Sequence, residues 1–281
     1  MSYCKHELYP CYTQKEADSL IFLLFNHYCG FSRTDLILHQ KDNINESELV
    51  NIYSAIPELK VYRPIQYIFG VAEFCGNWFR VNDNVLIPRP ETEELVNLII
   101  SENSERTELY ILDIGTGSGC IAVTLAKTML NSHMTAVDIS EKAIETAAYN
   151  ASFNHVKIFL EKMNIFDQGE ASKLQKLFTS SDIIVSNPPY IASSERSGMN
   201  KNVVDYEPAE ALFVPDENPL LFFECIVDLA VLNSTTGTLL YFEINENFKD
   251  CLAVMLDKKG VKHYEFHQDI HGKDRMLKCR I

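Results

Sequence analysis

The chain has one tryptophan, no Cys-x-x-Cys pair, no long apolar run and little positive charge. Each shortage excludes something. Its longest apolar stretches, such as Leu20 to Phe25, fall far short of the roughly 20 residues a membrane helix needs, so no membrane role is expected. No basic-then-apolar segment opens the sequence, and its start carries no targeting pattern. Eight cysteines, at positions 4, 11, 29, 75, 120, 225, 251 and 279, lack zinc-site or redox spacing. They read as reduced, mostly buried thiols of a cytoplasmic protein. The 25 Lys and Arg stand against 39 Asp and Glu, a formal net charge of −14. Binding nucleic acid through its phosphates needs a basic patch. The balance therefore favours a protein or small-molecule substrate over DNA or RNA, and a basic protein partner would be steered in by the field. His263, His267 and His271 recur every four residues, but His263 to Gln268 alternates polar and apolar side chains, a strand pattern. On a strand that spacing is about 13 Å, and no metal site is expected.

What is present is ample core material: 46% hydrophobic residues, including 16 Phe and 13 Tyr, in 281 residues. At about 150 residues per domain, this suggests two domains or one large one. Residues 12 to 29 read as a helix, with Thr13 as N-cap, Glu16 completing a capping box and Gly30 ending it. Ser32 to His39 and Asn45 to Pro57 read as two more helices, and Pro64 closes the region. Residues 1 to 70 are thus expected to form a small helical domain without a catalytic constellation. Tyr67 to Gly70, Glu73 to Gly76 and Trp78 to Val81 suggest short strands with Gly and Asn turns. A β-hairpin connector over residues 71 to 88 follows. From residue 89 to the end, strand and helix patterns alternate: strands at Leu109 to Ile114, Met134 to Asp138, Lys157 to Leu160, Asp182 to Ser186 and Thr238 to Glu243. Such alternation predicts an α/β domain with a mainly parallel sheet and helices on both faces.

Two loops carry chemistry. Asp113-Ile114-Gly115-Thr116-Gly117-Ser118-Gly119 follows a buried strand and opens a helix. Glycines there permit a tight turn and close approach of a ligand. Asp138, at the end of the next strand, can accept hydrogen bonds from both hydroxyls of a ribose. Gly-x-Gly-x-Gly is not the dinucleotide spacing, and an acid two residues before the first glycine disfavours a pyrophosphate. It suits S-adenosylmethionine, which has an ammonium, a sulfonium and no phosphate. The second loop, Asn187-Pro188-Pro189-Tyr190, follows a strand at the edge where open parallel sheets bind ligands. Two prolines fix the backbone and remove two donors. The Asn187 side-chain oxygen and the Pro188 carbonyl remain as acceptors for one planar NH2 group, with Tyr190 to pack against it. A carboxamide nitrogen is a poor nucleophile, and holding both its hydrogens aligns it and stabilises the positive charge it gains on methylation.

Together these residues resemble the class I amino-methyltransferases, a group acting on DNA adenine, rRNA guanine or protein glutamine, so the loop alone leaves the substrate open. Arg63 to Gly70, Glu73-Phe74, Ile87-Pro88-Arg89-Pro90-Glu91-Thr92-Glu93, Tyr206-Glu207-Pro208, Ala211-Leu212-Phe213 and Asp269 to Arg275 resemble, more specifically, the HemK/PrmC-type release factor glutamine methyltransferases. The resemblance implies a Rossmann-like seven-stranded sheet behind a helical domain that grips the release factor. It implies methylation at N5 of the glutamine in the Gly-Gly-Gln loop of class 1 release factors. A ribosomal protein glutamine, or an amino group of rRNA or DNA, is the alternative substrate. By resemblance, Asp113, Gly115, Thr116, Gly117, Ser118, Gly119 and Asp138 hold S-adenosylmethionine. Asn187, Pro188, Pro189 and Tyr190 hold the glutamine, Asn187 also lies near the cofactor, and Arg89 and Glu91 lie near the active site. The sequence departs from the family after the third strand, with Met163-Asn164-Ile165-Phe166 where many members have Asp and a bulkier residue. Asn164 is expected to accept from the adenine amino group and Ile165 to pack on the ring. The expected state is a monomer.

Overall fold

The structure, a computed structural model, describes residues 1–38 and 44–281. The chain divides into two compact units, Met1–Gly70 with Asn200–Tyr206, and Val71–Met199 with Glu207–Ile281.

The first unit contains α1 (Ser2–Leu8), α2 (Gln14–Cys29), α3 (Arg33–Leu38), α4 (Glu46–Lys60) and α5 (Ile65–Phe69). Leu8, Leu24, Ile56 and Leu59 form the centre of its core. The capping box at Thr13 and Glu16 opens α2, and Gly30, in the left-handed conformation, closes it. Of the helix expected from Ser32, the last residue, His39, lies outside the described residues.

Two expectations are corrected. The third helix does not stop at Pro57 but runs to Lys60. Proline removes one backbone donor, but the extra turn buries Leu59, whose carbonyl accepts from Tyr12 Oη at 2.6 Å. Tyr67 to Gly70 is not a strand: α5 runs through it. The aromatic residues there suggested β structure, but tertiary packing overrides that propensity. Phe69 stacks on His27 with centroids 3.9 Å apart and meets the edge of Tyr28.

The second unit begins with a hairpin, β1 (Val71–Phe74) and β2 (Asn77–Arg80), turned at Cys75 and Gly76, both with positive φ. Then follow α6 (Pro90–Glu102), β3 (Tyr110–Ile114), α7 (Cys120–Thr128), β4 (His133–Asp138), α8 (Glu141–Phe153), β5 (Phe159–Lys162), α9 (Ala171–Ser180), β6 (Ile183–Ser186) and the short β7 (Ile191–Ala192). After α10 (Lys201–Val204), which belongs to the first unit, come β8 (Phe213–Val214), α11 (Leu221–Asn233), β9 (Leu239–Glu243), α12 (Lys249–Lys258), β10 (His263–Gln268) and β11 (Asp274–Arg280). The seven-stranded sheet has the order β10-β11-β9-β6-β3-β4-β5. Neighbours from β9 to β5 are parallel, and β11 runs against both β9 and β10. This mixed seven-stranded sheet agrees with the one the resemblance implies.

Period-two alternation builds a core on each face. Ile111, Ile183 and Tyr241 join Leu95, Val96 and Ile99 of α6 and the buried side of α7. Leu112, Ile184 and Phe242 join Phe223 and Val227 of α11 and Leu256 of α12 on the other. That second face also buries Leu174 and Phe178 of α9, a helix missing from the expected pattern. The three histidines do not converge. His267 lies instead with Glu102 and Glu265, their ligating atoms within 4.8 Å, but Lys278 Nζ already pairs with Glu102 at 3.0 Å.

Candidate active site

β3, β4, β5 and β6 end on the same edge of the sheet, and a cavity of about 280 Å³ opens there. Gly115, Gly117, Asp138, Asn164, Ile165, Asn187, Pro188 and Pro189 all line it. A larger space, about 920 Å³, lies by β10 and β11 among Arg106, Lys262, Lys278 and Arg280. It adjoins neither expected loop, so size does not decide between the two. The chemistry converges at the smaller cavity.

The glycine loop is held from beneath. The N–H groups of Gly115 and Thr116 both donate to the Val137 carbonyl, at 2.9 and 3.1 Å. Thr116 Oγ1 donates to Asp113 Oδ2 at 2.7 Å, and Asn150 Nδ2 donates to the Ser118 carbonyl at 2.8 Å. Gly117 has φ +55, and a Cβ built on it would meet no protein atom within 4 Å. Gly119 differs: at φ +80, a Cβ would lie 3.0 Å from that of Ala147, so the start of α7 packs closely against α8.

Asp138 lines the cavity with both oxygens partly used. Oδ2 accepts the Gly117 N–H and Oδ1 the Ser140 N–H, each at 2.9 Å. Each oxygen keeps lone-pair capacity for a ligand hydroxyl. Burial raises its pKa, and the two N–H donors oppose the shift. Asp113, by contrast, is fully buried and not on the cavity wall, as are Thr116 and Ser118 beside it. Burial pushes its carboxyl up to about 7, tempered by the Thr116 hydroxyl. Its Oδ1 makes no full hydrogen bond. Gly119 also lies off the wall.

The wall beyond β5 is apolar and aromatic. Ile165 and Phe166 line it with Phe222 of α11, whose ring meets Phe166 edge-on at 5.1 Å. Asn164 Oδ1 already accepts the Phe166 N–H at 3.0 Å, which leaves it one further lone pair. Phe222 escaped the sequence reading because α11 looked uniformly apolar, and nothing local marks which turn faces a ligand.

Asn187 stands at the end of β6. Its Nδ2 donates to Thr92 Oγ1 at 3.2 Å, and Thr92 Oγ1 donates to Glu243 Oε2 at 2.6 Å. Tyr190 Oη donates to Glu243 Oε1 at 3.0 Å. Tyr190 therefore turns away from the cavity wall and into this network. Burial raises the pKa of Glu243, opposed by the two hydroxyls, and that of Tyr190, with Glu243 adding to it. Thr92 and Glu243 were not singled out from sequence. Thr92 sits inside the Ile87 to Glu93 stretch, but its partner is 151 residues away.

Arg89 and Glu91 do not reach the cavity wall. Arg89 pairs with buried Glu207, which also accepts the Ile87 N–H at 3.2 Å. This ties the Ile87 to Thr92 turn to the Tyr206-Glu207-Pro208 stretch, and Pro208 and Ala211 then line the cavity.

Gly115, Asp138, Asn187 and Pro188 thus share one cavity. Curated proteins named release factor glutamine methyltransferase match almost the whole chain. That of Flavobacterium psychrophilum is 42% identical, covering 96% of this chain and 94% of its own. That of Bacteroides thetaiotaomicron is 40% identical, covering 98% and 97%. The chain belongs to the release factor glutamine methyltransferase family. The family model for the PrmC N-terminal domain matches residues 5–70, and that for the methyltransferase small domain matches residues 92–206. Among solved structures, the hMettl16 catalytic domain in complex with MAT2A 3'UTR hairpin 6 superposes with a TM-score of 0.57 at 15% identity, covering 85% of this chain and 82% of that one. A Pyrococcus furiosus methyltransferase superposes at 0.50 and 16%, covering 84% and 98%. At such identities these two establish the fold alone.

A methyltransferase of this family and fold takes its methyl group from S-adenosylmethionine. The residues present fit that donor. Asp138 retains acceptor capacity for ribose hydroxyls, Gly117 leaves open the space a Cβ would fill, and Ile165, Phe166 and Phe222 offer an apolar surface for a purine. No helix among the described residues is long and apolar enough to cross a membrane.

Proposed function

We propose that this chain methylates the side-chain amide N5 of the glutamine in the Gly-Gly-Gln loop of class 1 peptide chain release factors. One observation carries the reading: Asn187 and Pro188 line the same cavity as Gly115 and Asp138. Bound S-adenosylmethionine supplies an electrophilic methyl on a sulfonium. Gly115, Gly117 and Asp138 hold its nucleoside and amino-acid portions, with Asn164 and Ile165 at the purine. Asn187 Oδ1 and the Pro188 carbonyl accept the two hydrogens of the substrate NH2, which fixes the nitrogen and stabilises its developing charge. No group need remove a proton first, because the nitrogen sheds one after it is alkylated. Pro189 stiffens the turn.

In this reading residues 1 to 70 grip the release factor, residues 71 to 88 connect, and residues 89 to 281 carry the chemistry. The net charge of −14 suits a protein substrate better than a nucleic acid. The enzyme then works as a cytoplasmic monomer. Methyl transfer from labelled donor to purified release factor tests the proposal. Label should appear on the wild-type factor and vanish when the loop glutamine is replaced. Equal label on both, or label only on intact ribosomes, would reject it.

A further inference from the structure

Thr92 and Glu243 make a hydrogen-bond chain whose direction can be worked out from its far end. In its ionised form Glu243 only accepts, and the two hydroxyls beside it favour that form against burial. Glu243 receives Tyr190 Oη on Oε1 and Thr92 Oγ1 on Oε2. The Thr92 hydroxyl hydrogen is thereby committed, so its oxygen meets Asn187 as an acceptor. Only the amide NH2 can donate to it, and Nδ2 lies 3.2 Å away. Thr92 is 3% exposed and Glu243 2%, so water does not compete for these positions. An asparagine amide is otherwise nearly symmetric in shape, and turning it over exchanges an acceptor for a donor.

We infer that Thr92 and Glu243 are positioning residues that lock the Asn187 amide with Nδ2 turned inward and Oδ1 presented to the substrate. Turned over, Asn187 would offer NH2 to the substrate NH2, a donor against a donor. The inference rests on the proposed role of Asn187 as holder of a substrate amide. It also accounts for Thr at position 92. An N3 position just after the Arg89 N-cap and Pro90 tolerates many side chains, and most have no hydroxyl. Nor does the environment of Thr92 otherwise need one, since the same site buries Leu95 and Val96 a turn away.

The test is a mutant cycle with methyl transfer to a release factor as readout. Thr92→Val keeps shape and loses the hydroxyl. It should lower kcat roughly 10- to 100-fold, on the scale of one misplaced transition-state partner, while KM for the donor changes less than threefold. Thr92→Ser should recover most of the turnover. In an Asn187→Ala background, Thr92→Val should cost nothing further, because the residue it orients is gone. Turnover of Thr92→Val within twofold of wild type overturns the inference. Additive losses in the double variant, or a Thr92→Ser chain as slow as Thr92→Val, overturn it too. Should Thr92→Val fail to fold, Thr92→Ser still decides: the inference requires a folded, active serine variant, and a folded but inactive one overturns it. Absence of label with the wild-type chain would instead reject the substrate reading itself, so the two failures are distinct.

Discussion

The two loops at the cavity do comparable work but are supported in opposite ways. The glycine loop is held over shorter separations: Thr116 bonds Asp113 three residues back, Gly117 bonds Asp138 twenty-one residues on, and Asn150 bonds Ser118 across thirty-two. The Asn187 loop is held from farther off, Asn187 by Thr92 at a separation of 95 and Tyr190 by Glu243 at 53. A binding loop that accepts a nucleoside needs mainly backbone shape, which local glycines supply. In the proposed mechanism the Asn187 loop presents one oxygen and not one nitrogen, and the side chains bonded to it come from distant elements. The comparison predicts that damage at Asn187 falls on turnover and damage at the glycine loop on binding.

The largest effect should come from Asn187→Ala. Loss of an acceptor that strengthens as charge develops should reduce kcat by roughly 10² or more, with donor affinity by calorimetry changed far less. Near-normal turnover would remove the distinction between the loops. Asp138→Ala should show the converse. It removes an acceptor for ligand hydroxyls, and a net loss on the scale of one hydrogen bond to a charged group, about 1.5–3 kcal/mol, should raise donor Kd roughly 10- to 100-fold. A variant that binds the donor normally would show that Asp138 serves only the Gly117 and Ser140 backbone.

The same contrast explains what could be read from the sequence. Glycine loop, Asp138 and Asn187-Pro188-Pro189-Tyr190 are contiguous chemical signals after buried strands, and they mark the sheet edge on which the cavity opens. Glu243 looked like the last residue of a strand, and Thr92 like a helix-start residue. Their meaning depends on α6 and β9 meeting, which no local pattern encodes. Asp113 shows the opposite case. Its spacing before the first glycine suggested a ligand contact, but its side chain bonds Thr116 beneath the loop instead. Both faces of β3 are covered, and the residue 113 side chain is wholly buried. Tyr190 was expected against the substrate because its position follows two prolines, yet its hydroxyl is drawn to Glu243.

Within the glycine loop, a smaller effect separates shape from contact. Gly119→Ala forces a side chain into φ +80, with its Cβ 3.0 Å from Ala147 Cβ and 3.2 Å from Ala147 Cα. Left-handed strain alone costs about 1–3 kcal/mol, so the urea midpoint should fall by an amount equivalent to roughly 2 kcal/mol. Donor affinity of the folded fraction should survive, since Gly119 does not line the cavity. Unchanged stability would mean that α7 and α8 can separate at no cost.

The smallest effect concerns Asp113 and pH. Burial raises its folded pKa to about 7, above the ordinary carboxylate value of 3.8. The folded chain then binds this proton more tightly than the unfolded chain. The group adds no penalty below the unfolded pKa, and stability is lost as pH rises toward the folded one, becoming constant above it. Between pH 6 and 8 the unfolded carboxyl is already ionised while the folded one gives up its proton, a change of about 1 kcal/mol. Asp113→Asn cannot titrate and should lack this slope, so the wild-type and variant urea midpoints should diverge as pH rises. S-adenosylmethionine should stabilise the wild type more at pH 8 than at pH 6 if its positive charge is felt by the buried carboxylate. Parallel pH profiles for the two chains would show that Asp113 is ionised throughout, and that the loop rests on a charge after all.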